Sequence, residues 1–245
     1  MTIMGEFLEM MKERKLHFTL IDPDKQLSEK AGRMACAANR AGTDAIMIGG
    51  STGYTLDDLD ATVKAIKDQC DLPTILFPTS AGLLSPRIDA IFFMSMLNSC
   101  SCDFIIREHS KAAPIIKKLG IEPISMGYLV VEPGMRVGEV GHADCVPRDR
   151  SDLAVGYAMA AEMLGMSLIY LEAGSGAPEP VPPEMVRQVR SSVSIPVIAG
   201  GGITRPEQSR AAVEAGADIV VTGTVVEAAE DVEDALKRII DAIRE

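Results

Sequence analysis

The residues best suited to chemistry stand just past short apolar runs: Asp22 after LHFTLI, Ser51 after AIMIGG, and Glu172 after LIYL. Two further runs end in glycine turns. Gly200-Gly201-Gly202 follows the buried-strand pattern at 196–199, and Thr222-Gly223-Thr224 ends the run at 219–221. Two such turns at the carboxyl ends of adjacent parallel strands suit a phosphate. Unshielded backbone N–H groups can close on its oxygens, and a following helix start adds positive potential. The plainer alternative is a pair of tight turns that bind nothing.

Pro23 disfavours a helical conformation at Asp22 and holds that residue extended over a rim. Asp22 is then a magnesium ligand or a hydrogen-bond acceptor; otherwise it lies in an exposed turn with a helix cap at Asp24. Lys25 either meets a phosphate or pairs with Asp24. Ser51 either offers its hydroxyl to a metal or phosphate, or caps a helix. Glu172 leads into Ala173-Gly174-Ser175-Gly176, beside the phosphate turns. A carboxylate there repels a bound anion unless it has a task, such as taking a proton from a hydroxyl; the alternative is a helix-end ion pair. Tyr170 either hydrogen-bonds the ligand or packs.

The elements that must position these groups are eight short apolar runs, at 16–21, 45–48, 74–77, 90–94, 122–131, 168–171, 196–199 and 219–221. Helical patterns at 27–41, 56–70, 151–164, 185–190, 206–215 and 225–244, with helical matter in 99–119, alternate with them. This predicts one domain over 1–245, an α/β (β/α)8 barrel with its chemistry on one face and its phosphate turns after strands seven and eight. Between the third and fourth runs, TSAGLLSPRID holds Gly and Pro and is short for a helical crossover. The third helix is therefore expected to be absent or replaced, leaving one side thinly covered, a natural place for an apolar groove. At the start of the chain, Phe7, Met10, Met11 and Lys15 suggest an amphipathic helix closing the barrel floor. The polar stretch 132–149, with Arg136, His142 and Arg148, is long enough to be functional or interfacial.

A length of 245 residues suits a single barrel, and 47 % apolar residues supply its core. With 4 % aromatics and no Trp, that core must be mostly aliphatic. The net charge of −11 argues against nucleic acid and against broad attraction to anionic lipid. An anionic substrate then needs a local device, either amides or a metal ion. No uncharged apolar run reaches the roughly 18 residues of a membrane span. Glu6, Glu9 and Glu13 do not suit a signal peptide. Five irregularly placed cysteines fit a reducing cytoplasm, with Cys100 and Cys102 expected as buried thiols rather than zinc ligands.

Taken in order, LIDPDK (20–25), IGGST (48–52), FFMSMLNS (92–99), YLEAGSGA (170–177), IAGGGI (198–203) and TGT (222–224) resemble the geranylgeranylglyceryl phosphate synthase family. These are archaeal prenyltransferases with bacterial PcrB-type relatives. The likeness spans the chain, and GSGA with DPDK is closer to the archaeal group II branch. It implies a barrel lacking its third helix. It implies transfer of geranylgeranyl diphosphate to the 3-hydroxyl of sn-glycerol 1-phosphate, making the first ether bond of archaeal membrane lipids. By motif match, Asp22 and Ser51 would hold Mg2+. Tyr170, Leu171, Glu172, Ala173, Gly174, Ser175, Gly176, Gly201, Gly202, Gly223 and Thr224 would hold glycerol phosphate, with Lys25 assisting and Glu172 as the base. The family includes dimers and hexamers, so a homo-oligomer is expected. A twenty-carbon tail needs a long trough near strands two to four, lined by at most one of Phe92 and Phe93, because neighbouring strand residues alternate in direction. A thirty-five-carbon donor, as in heptaprenylglyceryl phosphate synthase, and a phosphate-barrel isomerase or cyclase are the alternatives. A non-catalytic barrel that binds a phosphorylated metabolite is a further one.

Overall fold

Apolar residues on both faces of each short strand need two partners, a barrel interior and a helix layer. The computed structural model describes residues 1–50 and 53–245 and supplies both. Its strands are β1 (Leu16–Ile21), β2 (Ala45–Ile48), β3 (Thr74–Leu76), β4 (Ala90–Met96), β5 (Glu122–Val130), β6 (Leu168–Glu172), β7 (Val197–Gly200) and β8 (Ile219–Thr222). All pair in parallel in chain order, and β8 closes on β1. Phe18, Met47, Ile75, Phe92, Tyr128 and Tyr170 fill the interior. Their alternates, such as Ile46, Leu129, Leu171 and Val220, meet the helices.

The helices are α1 (Ile3–Met11), α2 (Ser28–Ala41), α3 (Leu56–Lys67), α4 (Glu108–Leu119), α5 (Met135–Val140), α6 (Ser151–Met163), α7 (Pro183–Ser192), α8 (Pro206–Glu214), α9 (Thr224–Ala228) and α10 (Val232–Arg244). As expected, α1 closes the floor: Phe7 is buried, with its ring centroid 4.9 Å from that of Phe18. The Glu122 carboxylate at the foot of β5 accepts from the first N–H groups of α1, Ile3 N at 2.7 Å and Met4 N at 2.9 Å. Those donors have no partner inside the helix, so the carboxylate both satisfies and orients them.

Residues 77–89, joining β3 to β4, form turns and bends and no helix, so the thin side is real. Helix α4 is entered through a π-helical turn (Asp103–Arg107), and Ser95 fastens that turn to β4 by donating to the Ile105 carbonyl at 2.8 Å.

Three expectations need correction. The helical pattern at 225–244 is broken into α9 and α10, because Asp231 turns its side chain onto Asp234 N at 3.1 Å and caps a new helix start. The stretch 132–149 is not wholly irregular, since it contains α5. Cys100 and Cys102 are exposed rather than buried, lying in the turn that leaves the rim after β4. Among the described residues, no helix is long and apolar enough to cross a membrane.

Candidate active site

The strand ends bring most of the expected residues around one cavity of about 280 Å3 at the carboxyl mouth of the barrel. Asp22, Lys25, Tyr170, Glu172, Ser175, Gly201, Gly202, Gly223 and Thr224 all border it. Leu171 and Ala173 do not belong among its side chains. Both are fully buried in the helix layer, because residues flanking an inward Tyr170 and Glu172 must point outward. Gly176 is also absent from the lining, and Gly174 contributes indirectly through Glu172. Ser51 lies outside the described residues.

Glu172 is the last residue of β6 and is 7 % exposed. Its Oε1 accepts from Gly174 N at 2.6 Å. Burial pushes its pKa up; the bond from Gly174 and the hydroxyls of Tyr170 and Tyr128 oppose the rise. Both phenols are held well above their ordinary range by burial and by the Glu172 charge, so they remain donors. The rings of Tyr128 and Tyr170 meet edge to face, with centroids 5.2 Å apart. Tyr128 is a site residue that sequence reasoning missed. Its signal was available: it is a polar aromatic on the same strand face as the inward Met126 and Val130.

The glycine turns have the backbone that the motif demanded. Gly201 and Gly202 adopt φ of +79° and +72°, in the left-handed region that favours glycine. Among the described residues, no protein acceptor takes the N–H groups of Gly201, Gly202, Gly223 or Thr224. These donors are open to an anion. Ser175 Oγ and Thr224 Oγ1, 3.4 Å apart, bring the β6 and β8 exits together.

Asp22 stands across the same mouth. Its pKa is raised to about 7, first by burial and then by Asp24, with Lys25 opposing. The Lys25 ammonium does not pair with Asp24 as one reading had it. It binds both oxygens of Glu227 at 2.8 and 2.9 Å and stays 3.9 Å from Asp22. Gly50 faces Asp22 so closely that a β-carbon there would come within 2.1 Å of both carboxylate oxygens. The absent side chain leaves a cradle beside a buried, incompletely neutralised carboxylate. That fits a hard divalent cation, which is commonly held by one or two carboxylates with substrate phosphates completing the shell. Among the described residues, no group of three His, Cys, Asp or Glu side chains gathers into a metal cage.

The long 132–149 segment walls the cavity: Arg136, Val137 and Val140 of α5 and Gly141 border it. Asn98 anchors this wall. Its Nδ2 donates to Val130 O and Asp144 O at 2.8 Å, and its Oδ1 accepts from Val130 N at 3.2 Å. Met94, Met96 and Phe104 also border an adjoining apolar groove on the side without a helix, lined further by Ala81, Leu84, Phe92, Phe93 and Ala112. Phe92 points into the barrel. Phe93 points out, edge to face with His109 at 4.6 Å, so the two do alternate in direction, yet both border the groove, against the expectation that at most one would.

A closed parallel barrel with open amide turns after β7 and β8, a buried carboxylate at the same rim and an adjoining apolar groove defines a (β/α)8 protein whose rim can receive an anion. The chain belongs to the PcrB family, whose pattern it matches over residues 8–243. It is 53 % identical to a geranylgeranylglyceryl phosphate synthase of Pyrococcus horikoshii, over 96 % of this chain and 92 % of that one. It is 49 % identical to one of Picrophilus torridus, over 99 % of this chain and 100 % of the relative. The crystal structure of (S)-3-O-geranylgeranylglyceryl phosphate synthase from Thermoplasma acidophilum in complex with sn-glycerol-1-phosphate superposes with a TM-score of 0.97. It shares 44 % identity and covers 100 % of this chain and 99 % of its own. A tryptophan synthase alpha chain from Legionella pneumophila, with a TM-score of 0.64 at 14 % identity, shares the fold alone.

Proposed function

We propose that this protein is a Mg2+-dependent prenyltransferase that joins the 3-hydroxyl of sn-glycerol 1-phosphate to geranylgeranyl diphosphate. The observation that carries this reading is the adjacency of two spaces. The rim cavity, bordered by the open amide turns and Glu172, shares the walls Pro78, Thr79, Met94, Met96 and Phe104 with an apolar groove between the β3–β4 connection and α4. An isomerase or cyclase acting on a small phosphate needs no such trough.

The amides of Gly201, Gly202, Gly223 and Thr224 bind the glycerol phosphate. Ser175 and Tyr170 orient its hydroxyls. Met94, Met96 and Phe104 lead the prenyl tail outward and keep water from the allylic centre. Asp22 and Ser51 would hold Mg2+, which when bound neutralises charge on the departing diphosphate. The allylic C–O bond breaks toward diphosphate, and the glycerol 3-hydroxyl oxygen bonds to the prenyl C1. Its proton passes to Glu172, whose burial-raised pKa matches a base of moderate strength. Support for a homo-oligomer, a dimer or hexamer, comes from the exposed apolar side chains Leu153, Met159 and Met163 of α6 and the neighbouring Leu164. Five free cysteines support a reducing, cytoplasmic setting.

Mass-resolved product analysis tests the reading, with sn-glycerol 1-phosphate and prenyl diphosphates of several lengths, with and without Mg2+. The expected product is the twenty-carbon ether, formed only with the metal. Preference for a thirty-five-carbon donor would assign the longer-chain activity instead. Turnover of a sugar phosphate without metal would replace the reading altogether.

A further inference from the structure

Behind the β8 end of the phosphate cradle lies a buried polar network that the reaction does not use. His17 is fully buried on β1. Its Nδ1 is 2.8 Å from Thr43 Oγ1, and its Nε2 is 2.9 Å from Thr222 Oγ1. Thr43 Oγ1 donates to the His17 carbonyl at 3.0 Å and accepts from Thr19 Oγ1 at 3.1 Å. These contacts favour one tautomer. With the Thr43 proton on the carbonyl, Nδ1 is the donor to Thr43. Nε2 is then bare and accepts the Thr222 proton. In the opposite tautomer the buried Thr222 hydroxyl proton has no acceptor among the described residues, an arrangement that interiors avoid. Burial also lowers the imidazole pKa to about 3, against the attraction of Asp44 and with the help of Arg244, so the ring is neutral.

Thr222 ends β8, and its successors Gly223 and Thr224 carry two of the open N–H groups. Packing on Gly223 is ordinary and not tight: a β-carbon there would meet Leu20 at 3.5 Å. Ser175 makes only a long 3.4 Å contact with Thr224. The Thr222 hydroxyl held from behind by His17 is therefore a firm side-chain anchor on the strand side of the turn, with the Lys25–Glu227 ion pair on its helix side. We propose that His17, through its bare Nε2, is a positioning residue that fixes Thr222 and so sets where the Gly223 and Thr224 amides meet the phosphate. The idea rests on the reading of this rim as the glycerol phosphate site.

The test is calorimetric binding of inorganic phosphate and of sn-glycerol 1-phosphate to the full chain and to Thr222→Val, Thr222→Ser and His17→Asn. Valine keeps the shape of threonine and loses its hydroxyl. Asparagine keeps a donor toward Thr43 and lacks Nε2, so it carries the same test should the valine variant not fold. Loss of one neutral hydrogen bond should weaken both anions about fivefold. In transfer kinetics the KM for glycerol phosphate rises alone, kcat and the prenyl diphosphate KM stay near wild type, and serine restores the binding. Phosphate affinity equal to wild type in a folded Thr222→Val or His17→Asn protein overturns the proposal. So does a loss shared equally with prenyl diphosphate, or a wild type with no phosphate affinity. A wild type that binds phosphate yet forms no ether from any prenyl donor overturns the prenyltransferase reading alone.

Discussion

Gly201 stands against Glu172 so closely that a β-carbon on the glycine would lie 2.3 Å from the carboxylate Oε1 and 2.6 Å from Gly174 N. The phosphate turn and the base are thus parts of one packed unit. The carboxylate is turned toward Gly174 N, and the glycine beside it carries an N–H free for the anion.

Replacing Glu172 with Gln removes the proton acceptor and keeps the shape. Turnover is expected to fall by about 10²–10⁴-fold, while calorimetric affinity for sn-glycerol 1-phosphate stays within a few-fold of wild type. Near-normal turnover at saturating substrates would end the base assignment.

The raised pKa of Glu172 sets the sign of the acid limb. The base works deprotonated, so kcat should decline as pH falls through a value above the ordinary carboxylate range. Measuring kcat at saturation separates this from the second ionisation of the substrate phosphate, near pH 6. An acid limb at or below the usual glutamate value would show that burial does not raise this carboxyl.

Gly50→Ala drives a methyl group into the Asp22 carboxylate without touching any ligand. Because the obstructed group is the end of a side chain, the fold should survive with a melting temperature close to wild type. Displacing the carboxylate should weaken Mg2+ activation by about 10–100-fold, the scale seen when support for a metal ligand is lost. A magnesium titration of activity reads this directly; an unchanged midpoint would separate Asp22 from the metal.

Ala81 borders the apolar groove and is only partly buried, so a larger side chain there has room to fill the groove from outside. Ala81→Phe is expected to retain turnover of a fifteen-carbon diphosphate and to lose most of that with the twenty-carbon donor. Competition between the two donors, read by product mass, checks it. Equal losses with both lengths would place the tail elsewhere.

An uninterrupted buried-strand pattern and strand-end acids made the barrel and its working rim legible in the sequence. A strand buried on two faces has few other partners than a barrel interior and a helix layer. The missing third helix could be read from TSAGLLSPRID, because chain length limits what can cross between parallel strands. IAGGG announced the amide turn after β7, because glycine readily accepts the left-handed backbone of Gly201 and Gly202, and TGT announced the one after β8. Other features depend on contacts between residues far apart in the chain, which no local pattern records. Tyr128 influences Glu172 because β5 and β6 pair with Tyr128 opposite Tyr170 and Val130 opposite Glu172. Lys25 chose Glu227 over Asp24 because α9 brings that carboxylate to the same rim. The proton on His17 was decided by Thr43 and Thr222, 26 and 205 residues away along the chain. Burial, which shifts Glu172, Asp22 and His17 from their ordinary values, is likewise a property of the assembled barrel and of no single stretch.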